Sequence, residues 1–596
     1  GMFGCRLVAS EAADTVVSLQ EVSVTAIKET SSMALRPEAS TVVGAGMIQR
    51  LNIVTMKEVS ELAPNFYIPD CVSRMTSSIY VRGLGAGIDQ PVIGLNVDNV
   101  PFLNKDNYDF DLCDIERIEV LRGPQSTLYG RNTMGGLVNI YTLSPFRYQG
   151  LRGFAGYGSA NTVRVAAGYY FLLGSRAGMG VTADLSRTDG YFPNLYNGRK
   201  ADKERLGSLR WKSVWRITDR LMAENTASVQ LTRQGGYPYE RVGSEGVCYN
   251  DTCFYKRTGV SDGLTVKWFG DKVELSSITS FQYLSDNMTL DQDFTADDYF
   301  TLTQRRHEWA VTQDFVAKGA VGSRYKWIGG LFGFYKRTSM DAPVTFKSYG
   351  IRQLIEQHRN NANPLYPIEW NEPSFVLGSH FTMPVRGVAL YHRSSFETGP
   401  WEFSAGIRLD VEQSGLSYRS DCSTGYSIYD KTGSVPVLYD RRPIDIHDSG
   451  DLEKTFVELL PKVSVVYRLP MILPSSVYVS VAKGYKAGGF NTQMFSDVLQ
   501  QRLMGLMGLA MTYNIGDVVG YKPEYSWNYE AGAHISCNGG RVAADMAVFY
   551  IDCRNQQMTT FPDGMTTGRI MTNAGRTRSA GAELQMSWKP ARRWSF

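Results

Sequence analysis

The sequence predicts a small mixed α/β domain followed by a large antiparallel β-barrel that crosses a membrane. Three observations carry this prediction. The chain has 596 residues, beyond the size at which a single core usually stops growing, so at least two units are expected. Its later part alternates in long runs: Trp401, Phe403, Ala405, Ile407, Leu409 and Val411 fall on one face, with Glu402, Ser404, Gly406, Arg408, Asp410 and Glu412 on the other. Between Ile115 and Thr142, two strand-like runs flank a turn rich in glycine and proline.

The first domain is built from short elements. Thr55-Met56-Lys57-Glu58 has the pattern of a capping box, with Val59 and Leu62 on one helical face and Pro64 ending the helix. Ile79 to Gly83 reads as a strand entering Gly83-Leu84-Gly85-Ala86-Gly87. A phosphate loop is disfavoured there because no Lys-Ser/Thr pair follows and no helix opens. Ile115, Ile118 and Val120 are β-branched strand formers, and Gly123-Pro124 and Gly135-Gly136 supply turns.

From about Leu151 the period-two pattern repeats. Trp527, Tyr529, Ala531 and Ala533 oppose Ser526, Asn528, Glu530, Gly532 and His534; Ala580, Ala582, Leu584, Met586 and Trp588 oppose Gly581, Glu583, Gln585 and Ser587. A sandwich also alternates, but its strands are shorter and its polar face looks outward. Such strands place every second residue in lipid, so a mean hydropathy of −0.23 and a charged content of 20% are compatible with a membrane barrel. The longest apolar stretch, Leu503 to Met511, is too short to span as a helix. Long irregular segments are expected at Gln234 to Lys256, Thr338 to Pro384, Glu412 to Glu458 and Asn491 to Tyr521.

Several functions are disfavoured. A net charge of +3 without a basic stripe argues against a nucleic-acid partner. No acid, base and nucleophile converge at useful spacing, so no catalytic residues, and no enzyme, are expected. Glu116 and Glu119 differ by three and should point to opposite faces of a strand. The eight cysteines contain no CxxC, and the histidines are scattered, so neither a metal nor a cofactor is expected. Cys248 and Cys253 are a disulfide candidate, open between bonded and free; Cys537 and Cys553 would lie at opposite ends of a hairpin. Asp291-Gln292-Asp293 with Asp297-Asp298 lacks the glycine and glutamate of a common calcium loop and reads as a solvated loop.

The stretch Ile115 to Thr142, with Arg122, Gly123, Pro124, Tyr129, Gly130, Arg131, Gly135 and Gly136, closely resembles the plug signature of TonB-dependent outer-membrane receptors. Leu460 to Leu469, Val477 to Asn491, Tyr521 to His534 and Asn573 to Trp588 resemble later segments of the same family. The resemblance implies a plug at 33–148 inside a barrel at 149–596. Residues 1–13 would be a leader remnant or a tag, and 14–32 a linker carrying the TonB box at Glu21, Val22, Ser23, Val24, Thr25 and Ala26. A short extended segment of that kind can add to a partner's sheet edge. Arg82, Glu116, Glu119, Arg122 and Arg131 match the charged plug core. Arg74, Met75, Asp89, Gln90, Lys105 and Tyr108 would face the outside from plug loops, and Tyr237, Tyr239, Arg241 and Trp370 from barrel loops, all as candidate ligand contacts.

The implied partners are TonB with its inner-membrane motor, a small-molecule ligand that is a metal chelate, and outer-membrane lipid and lipopolysaccharide. The implied function is active import of a scarce nutrient, foremost a ferric siderophore or other iron complex, across the outer membrane of a Gram-negative bacterium. Cobalamin, heme or a carbohydrate are alternative cargoes, and a passive porin is a weaker reading. Family barrels have about 22 strands, whereas alternation here supports roughly sixteen and the start of another at Arg593 to Phe596. A barrel incomplete at its C-terminus, from a longer gene product, is therefore expected.

Overall fold

A computed structural model of the chain describes residues 3–8, 27–29, 32–70, 72, 74, 79–85, 90–109, 112–240, 242–291, 293–471, 473–492, 498, 505, 515–560, 570–573, 575–591 and 594. The first domain is built around a five-stranded sheet in the order Ser40–Gly44, Ile115–Arg122, Gly136–Thr142, Ile93–Val97, Val100–Pro101. Ile93–Val97 runs parallel to Gly136–Thr142, and the other pairs are antiparallel. The β-branched residues identified in the sequence are its core: Ile115, Ile118, Val120, Val138 and Ile140 are buried with Val59, Phe66 and Ile79. The capping box opens a helix at Met56–Ser60, where the Glu58 carboxylate accepts from the Thr55 N–H at 3.0 Å. At Gly136 a Cβ would lie 2.3 Å from the Leu121 carbonyl oxygen, so the neighbouring strand passes where only glycine fits.

The second domain is one sheet of 20 strands that wraps around the first. Three of them, Phe3–Val8, Val344–Lys347 and Ile368–Trp370, are short additions. Val437–Leu459 and Lys462–Arg468 continue one another along Trp401–Asp430, in one register from Trp401 to Ile428 and interrupted where Pro461 lacks a donor. Sixteen wall passes remain, in line with the alternation count. Phe3–Val8, in the stretch expected to be a leader remnant or tag, pairs antiparallel with Gly150–Gly158. Among the described residues this strand and Arg576–Trp588, at the other end of the sheet, are not hydrogen-bonded to each other. Ala591 forms a single bridge with Trp594; Arg593 and Phe596 lie outside the described residues.

The alternation has the consequence expected of a barrel wall. Trp401, Phe403, Ile407 and Leu409 are 44–47% exposed on the outer face, while Glu402, Arg408, Asp410 and Glu412 are at most 8% exposed on the inner one. The same outer band includes Leu185, Trp211, Leu231, Phe315, Leu390, Val479 and Val548. Connections alternate between short turns, such as 322–324 and 399–400, and long ones, such as 235–253 and 342–373. In outer-membrane barrels the long ones face outside. No described helix is long and apolar enough to cross a membrane.

The expectation of an irregular segment from Glu412 to Glu458 is corrected. These residues continue Trp401–Asp430 and Val437–Leu459 as a paired hairpin. Beyond the bilayer neither face needs to be apolar, so the period-two signal fades while each strand still satisfies the other's backbone. Strands also extend into 338–384, as far as Asp341 and again from Ser374, and the loop between them carries the helical run Ser348–Gly350, Ile351–Glu356 and Gln357–Ala362.

Candidate functional site

Charged contacts join the plug to the wall at several places, and two regions differ in character. The first lies against the last strands, Glu524–Cys537 and Arg576–Trp588. Arg82 sits at φ +51° in the turn before Gly83, and its guanidinium donates to Glu530 at 2.6 Å and to Glu583 at 2.9 Å. Arg122 reaches Glu583 at 2.8 Å. Glu530 also accepts from the Ala39 N–H at 3.0 Å and from the Tyr478 hydroxyl at 2.7 Å. The Arg82 guanidinium lies 4.3 Å from the centre of the Phe549 ring. No buried nitrogen or oxygen of Arg82, Arg122, Glu530 or Glu583 lacks a hydrogen-bond partner, so four desolvated charges are mutually compensated.

The second region is an open cavity of about 140 Å³ on the long-loop side. Its floor is plug, from Gln90, Lys105, Asp106 and Arg131, and its walls are barrel, from Arg306, Glu308, Lys336 and Glu412, with Met340, Met383, Phe490 and Tyr521. Arg131 approaches Glu412 at 3.3 Å and lies 5.1 Å from the centre of the Phe334 ring. Arg306 pairs with Asp106 at 2.6 Å, and Lys336 stands 3.7 Å from Glu308. Burial opposes ionisation of Asp106, but Arg306, Lys105 and Arg257 outweigh it and hold the carboxyl below its ordinary range. Unlike the first region, this one is not saturated: Arg131 Nε and Nη1, Asp106 Oδ1 and Glu412 Oε1 are buried without a hydrogen-bond partner among the described residues.

The candidates named from sequence divide accordingly. Gln90 lines the cavity and accepts from Arg131 and Asn132 at 3.3 and 2.8 Å; Lys105 lines it too. Arg74 is instead committed to Glu204 at 2.7 Å and Asp109 at 3.1 Å, tying plug to wall. Three candidates are corrected from ligand contacts to packing. Tyr108 is buried in the plug core with its hydroxyl on the Ile93 carbonyl. Tyr237 packs with Tyr255 and Met288. Trp370 sits in the apolar centre of the outer loops, donating to Thr424 at 2.8 Å. Tyr239 is 40% exposed beside Phe294. Met75, Asp89, Arg241 and the whole Glu21 to Ala26 segment lie outside the described residues.

Glu119 is fully buried and paired with Arg117 at 2.9 Å. Glu116 is not part of a buried core: a bulge after Ile115 turns it toward the surface, where it meets Arg147 and, at 3.5 Å, Arg117. Cys248 and Cys253, open between bonded and free in the sequence, are not bonded in this structure. Both thiols are free, and Cys253 is buried beside Tyr249 with its sulfur accepting from the Asp291 N–H at 3.1 Å.

Sequence reasoning missed Arg306, Glu308 and Lys336 as cavity residues. It placed Glu412, Glu530 and Glu583 on the polar face of their strands without assigning them partners, because register across a barrel decides which inward group meets the plug.

Comparison with known proteins agrees with this architecture. The family model "TonB dependent receptor-like, beta-barrel" matches residues 120–596, and "TonB-dependent Receptor Plug Domain" matches 34–137. The chain is 25% identical over 595 residues to a pesticin receptor of Yersinia enterocolitica, covering 96% of this chain and 76% of that one. A pesticin receptor of Yersinia pestis is 24% identical with the same coverage. Among solved structures, the ferric yersiniabactin uptake receptor FyuA from Yersinia pestis superposes with a TM-score of 0.72 at 21% identity, over 94% of this chain and 77% of that one. The siderophore receptor PiuA from Acinetobacter baumannii gives 0.68 at 13% identity, over 95% and 78%. A plug held inside a lipid-facing β wall and a family match over most of its length lead to one conclusion: the chain belongs to the TonB-dependent receptors, transport proteins of the Gram-negative outer membrane.

Proposed function

We propose that this receptor imports an iron chelate of the ferric siderophore class, with residues 33–148 as the plug and the barrel as the wall. The carrying observation is Arg131, a buried guanidinium at the cavity floor with two nitrogens that lack hydrogen-bond partners among the described residues. Buried donors of this kind favour an acceptor-rich ligand, because a desolvated N–H without an acceptor is costly until it is bonded. With Lys105, Arg306 and Lys336 beside Arg131, the cations of the lining outnumber Asp106, Glu308 and Glu412 by one, and Phe490 and Tyr521 add flat apolar surface, which suits an anionic, aromatic chelate better than a neutral carbohydrate. The names of the matched receptors for ferric yersiniabactin and other siderophores support the same class.

Ligand seated on Arg131 would bias the Glu21 to Ala26 segment toward the periplasm, where TonB would take it up as an added strand. Energy from the inner membrane would then open a path along the plug. Tryptophan-fluorescence titration of the purified receptor with ferric phenolate, catecholate, hydroxamate and citrate chelates tests the ligand class. One of them should bind, and Arg131→Gln should weaken it by about tenfold, as expected for loss of a charge-assisted hydrogen bond. Undiminished binding by the variant would remove Arg131 from the site.

A further inference from the structure

The long-loop rim of the wall carries a row of cations on its outer face. Arg187 stands on Ala177–Thr188, Arg205 on Glu204–Arg216, Arg233 on Leu221–Gln234 and Lys256 on Phe254–Phe269. Strand register sets each of them directly opposite the next. Asn287 of Val273–Asp291 continues the row, and Arg305 of Phe300–Val321 follows it. All five cations are exposed. Their chain neighbours Gln234, Tyr255 and Arg257 are buried, so alternation puts the cations on the lipid-facing side.

Neighbouring strands stand about 4.8 Å apart, and like charges directly opposite one another destabilise a sheet. Little in the chain relieves this row. Asp189 pairs with Arg187 at 3.0 Å and also acts on Arg205 through space. Lys256 lies 4.7 Å from the centre of the Phe254 ring. Asp341 stands opposite Arg305 in register, but its carboxylate is taken by His380 at 2.7 Å. Among the described residues no ion pair holds Arg205, Arg233 or Arg305. Directly below the row the same face turns apolar: Leu185 and Leu231 stand two residues further along their strands, then Leu209, Val229 and Trp309, all exposed.

We propose that this row is a binding site for the phosphates of lipopolysaccharide, the glycolipid of the outer leaflet, with its acyl chains lying on the apolar band beneath. A phosphate accepts from several donors at once, so one group seated between two strands bonds both Arg205 and Arg233 and offsets their mutual repulsion. Position selects a lipid over a free anion. The row looks outward along the edge of the apolar band, away from the mouth cavity, where a phosphate tethered to acyl chains is held at the right height. Because the protein itself supplies the counter-charge, no divalent cation is needed. The site is independent of cargo and of TonB, and it stands or falls apart from the import reading above.

The full chain, purified in detergent and stripped of lipid, is titrated with rough-type lipopolysaccharide in the presence of EDTA, and bound lipid is read by native mass spectrometry. The unaltered receptor should bind. Arg205→Gln combined with Arg233→Gln should weaken binding by about tenfold or more, as expected for loss of two charge-assisted contacts. Arg205→Lys with Arg233→Lys, which keeps the charge and loses the planar fork, should weaken it less. Arg441→Gln with Arg442→Gln removes equal charge from the protruding hairpin and should leave binding unchanged. These side chains are exposed, so none of the changes reaches a core. The same glycolipid with its phosphates removed should bind the unaltered receptor as weakly as the intact one binds the glutamine variant. Equal binding by the glutamine variant, or by the dephosphorylated glycolipid, would overturn the site. Phosphatidylglycerol or inorganic phosphate that displaces lipopolysaccharide at equal concentration would overturn its assignment to this lipid.

Discussion

The seam around Glu530 and Glu583 and the cavity around Arg131 and Glu412 are built from the same materials. Both bring plug arginines against wall glutamates in buried surroundings. They differ in saturation. In the seam every buried charged atom of the Arg82, Arg122, Glu530 and Glu583 set has a hydrogen-bond partner, whereas in the cavity Arg131 and Glu412, though paired at 3.3 Å, keep buried atoms without a hydrogen bond among the described residues. Saturated charge fixes a position, and on the proposed reading unsaturated charge receives a ligand. The position of the plug and its recognition of cargo are thus separable, which gives direct ways to break the comparison.

The largest effect should come from the seam. Glu583→Ala leaves Arg82 and Arg122 without their shared carboxylate and should destabilise the docked plug by about 3–5 kcal/mol, the usual cost of orphaning a buried charge. Urea denaturation followed by plug-specific proteolysis measures it, and a loss below about 1 kcal/mol, typical of an exposed ion pair, would show that the seam is not an anchor. In the same assay Arg131→Gln, which breaks one buried pair where Glu583→Ala breaks two, should cost clearly less, although it weakens chelate binding. A large stability loss there would erase the distinction between the regions.

The architecture was largely legible before any coordinates. Period-two alternation identified the wall and told which residues face the lumen, because a strand buries one face only. The glycine-rich turn after Ile115 to Val120 identified the plug. Less legible was what each inward charge meets: Glu412 and Glu583 stand in equivalent alternation, yet one lines the cavity and the other locks the plug. That depends on strand register and on the height of the plug in the lumen, which no local pattern encodes. Aromatic loop residues misled for a related reason. Trp370 and Tyr237 were read as ligand contacts, but the outer loops have an apolar core of their own, with Phe346, Ile355, Phe375 and Ile446, and large aromatics are what such a core recruits.

Two smaller effects concern pH in the outer loops, away from both regions. Asp291, at the loop end of its strand, is buried near Asp293 and Asp251, and burial first and Asp293 second raise its carboxyl to about 7. The folded loop therefore holds a proton that the unfolded chain has released above the ordinary value of 3.8. Stability is full below that value and declines as pH rises toward 7. Hydrogen exchange across 285–300 should quicken over this window, and Asp291→Asn should flatten the profile; an unchanged profile in the variant would assign the dependence elsewhere.

The smallest effect belongs to His447 on the protruding hairpin. A hydrogen bond to Asp421 first, then the charge of Asp445, raise its pKa above 6.5. Its contribution should be complete below that value and vanish as pH rises through the higher folded one. Because the ring is exposed, only slight fraying of the hairpin end is expected, seen as faster amide exchange at Asp445 to Asp448. Equal exchange on both sides of the transition would mean the pairing has no consequence.

The central claim, energised import of an iron chelate captured at the mouth, is tested most directly by radioiron accumulation in cells carrying the receptor, with surface binding measured in parallel. Uptake of the bound chelate should stop when the proton gradient is collapsed. Val24→Pro, which removes a backbone donor from the coupling segment, should abolish uptake and leave surface binding near normal. Accumulation that survives loss of the gradient, or a variant that loses binding and uptake together, would contradict the account.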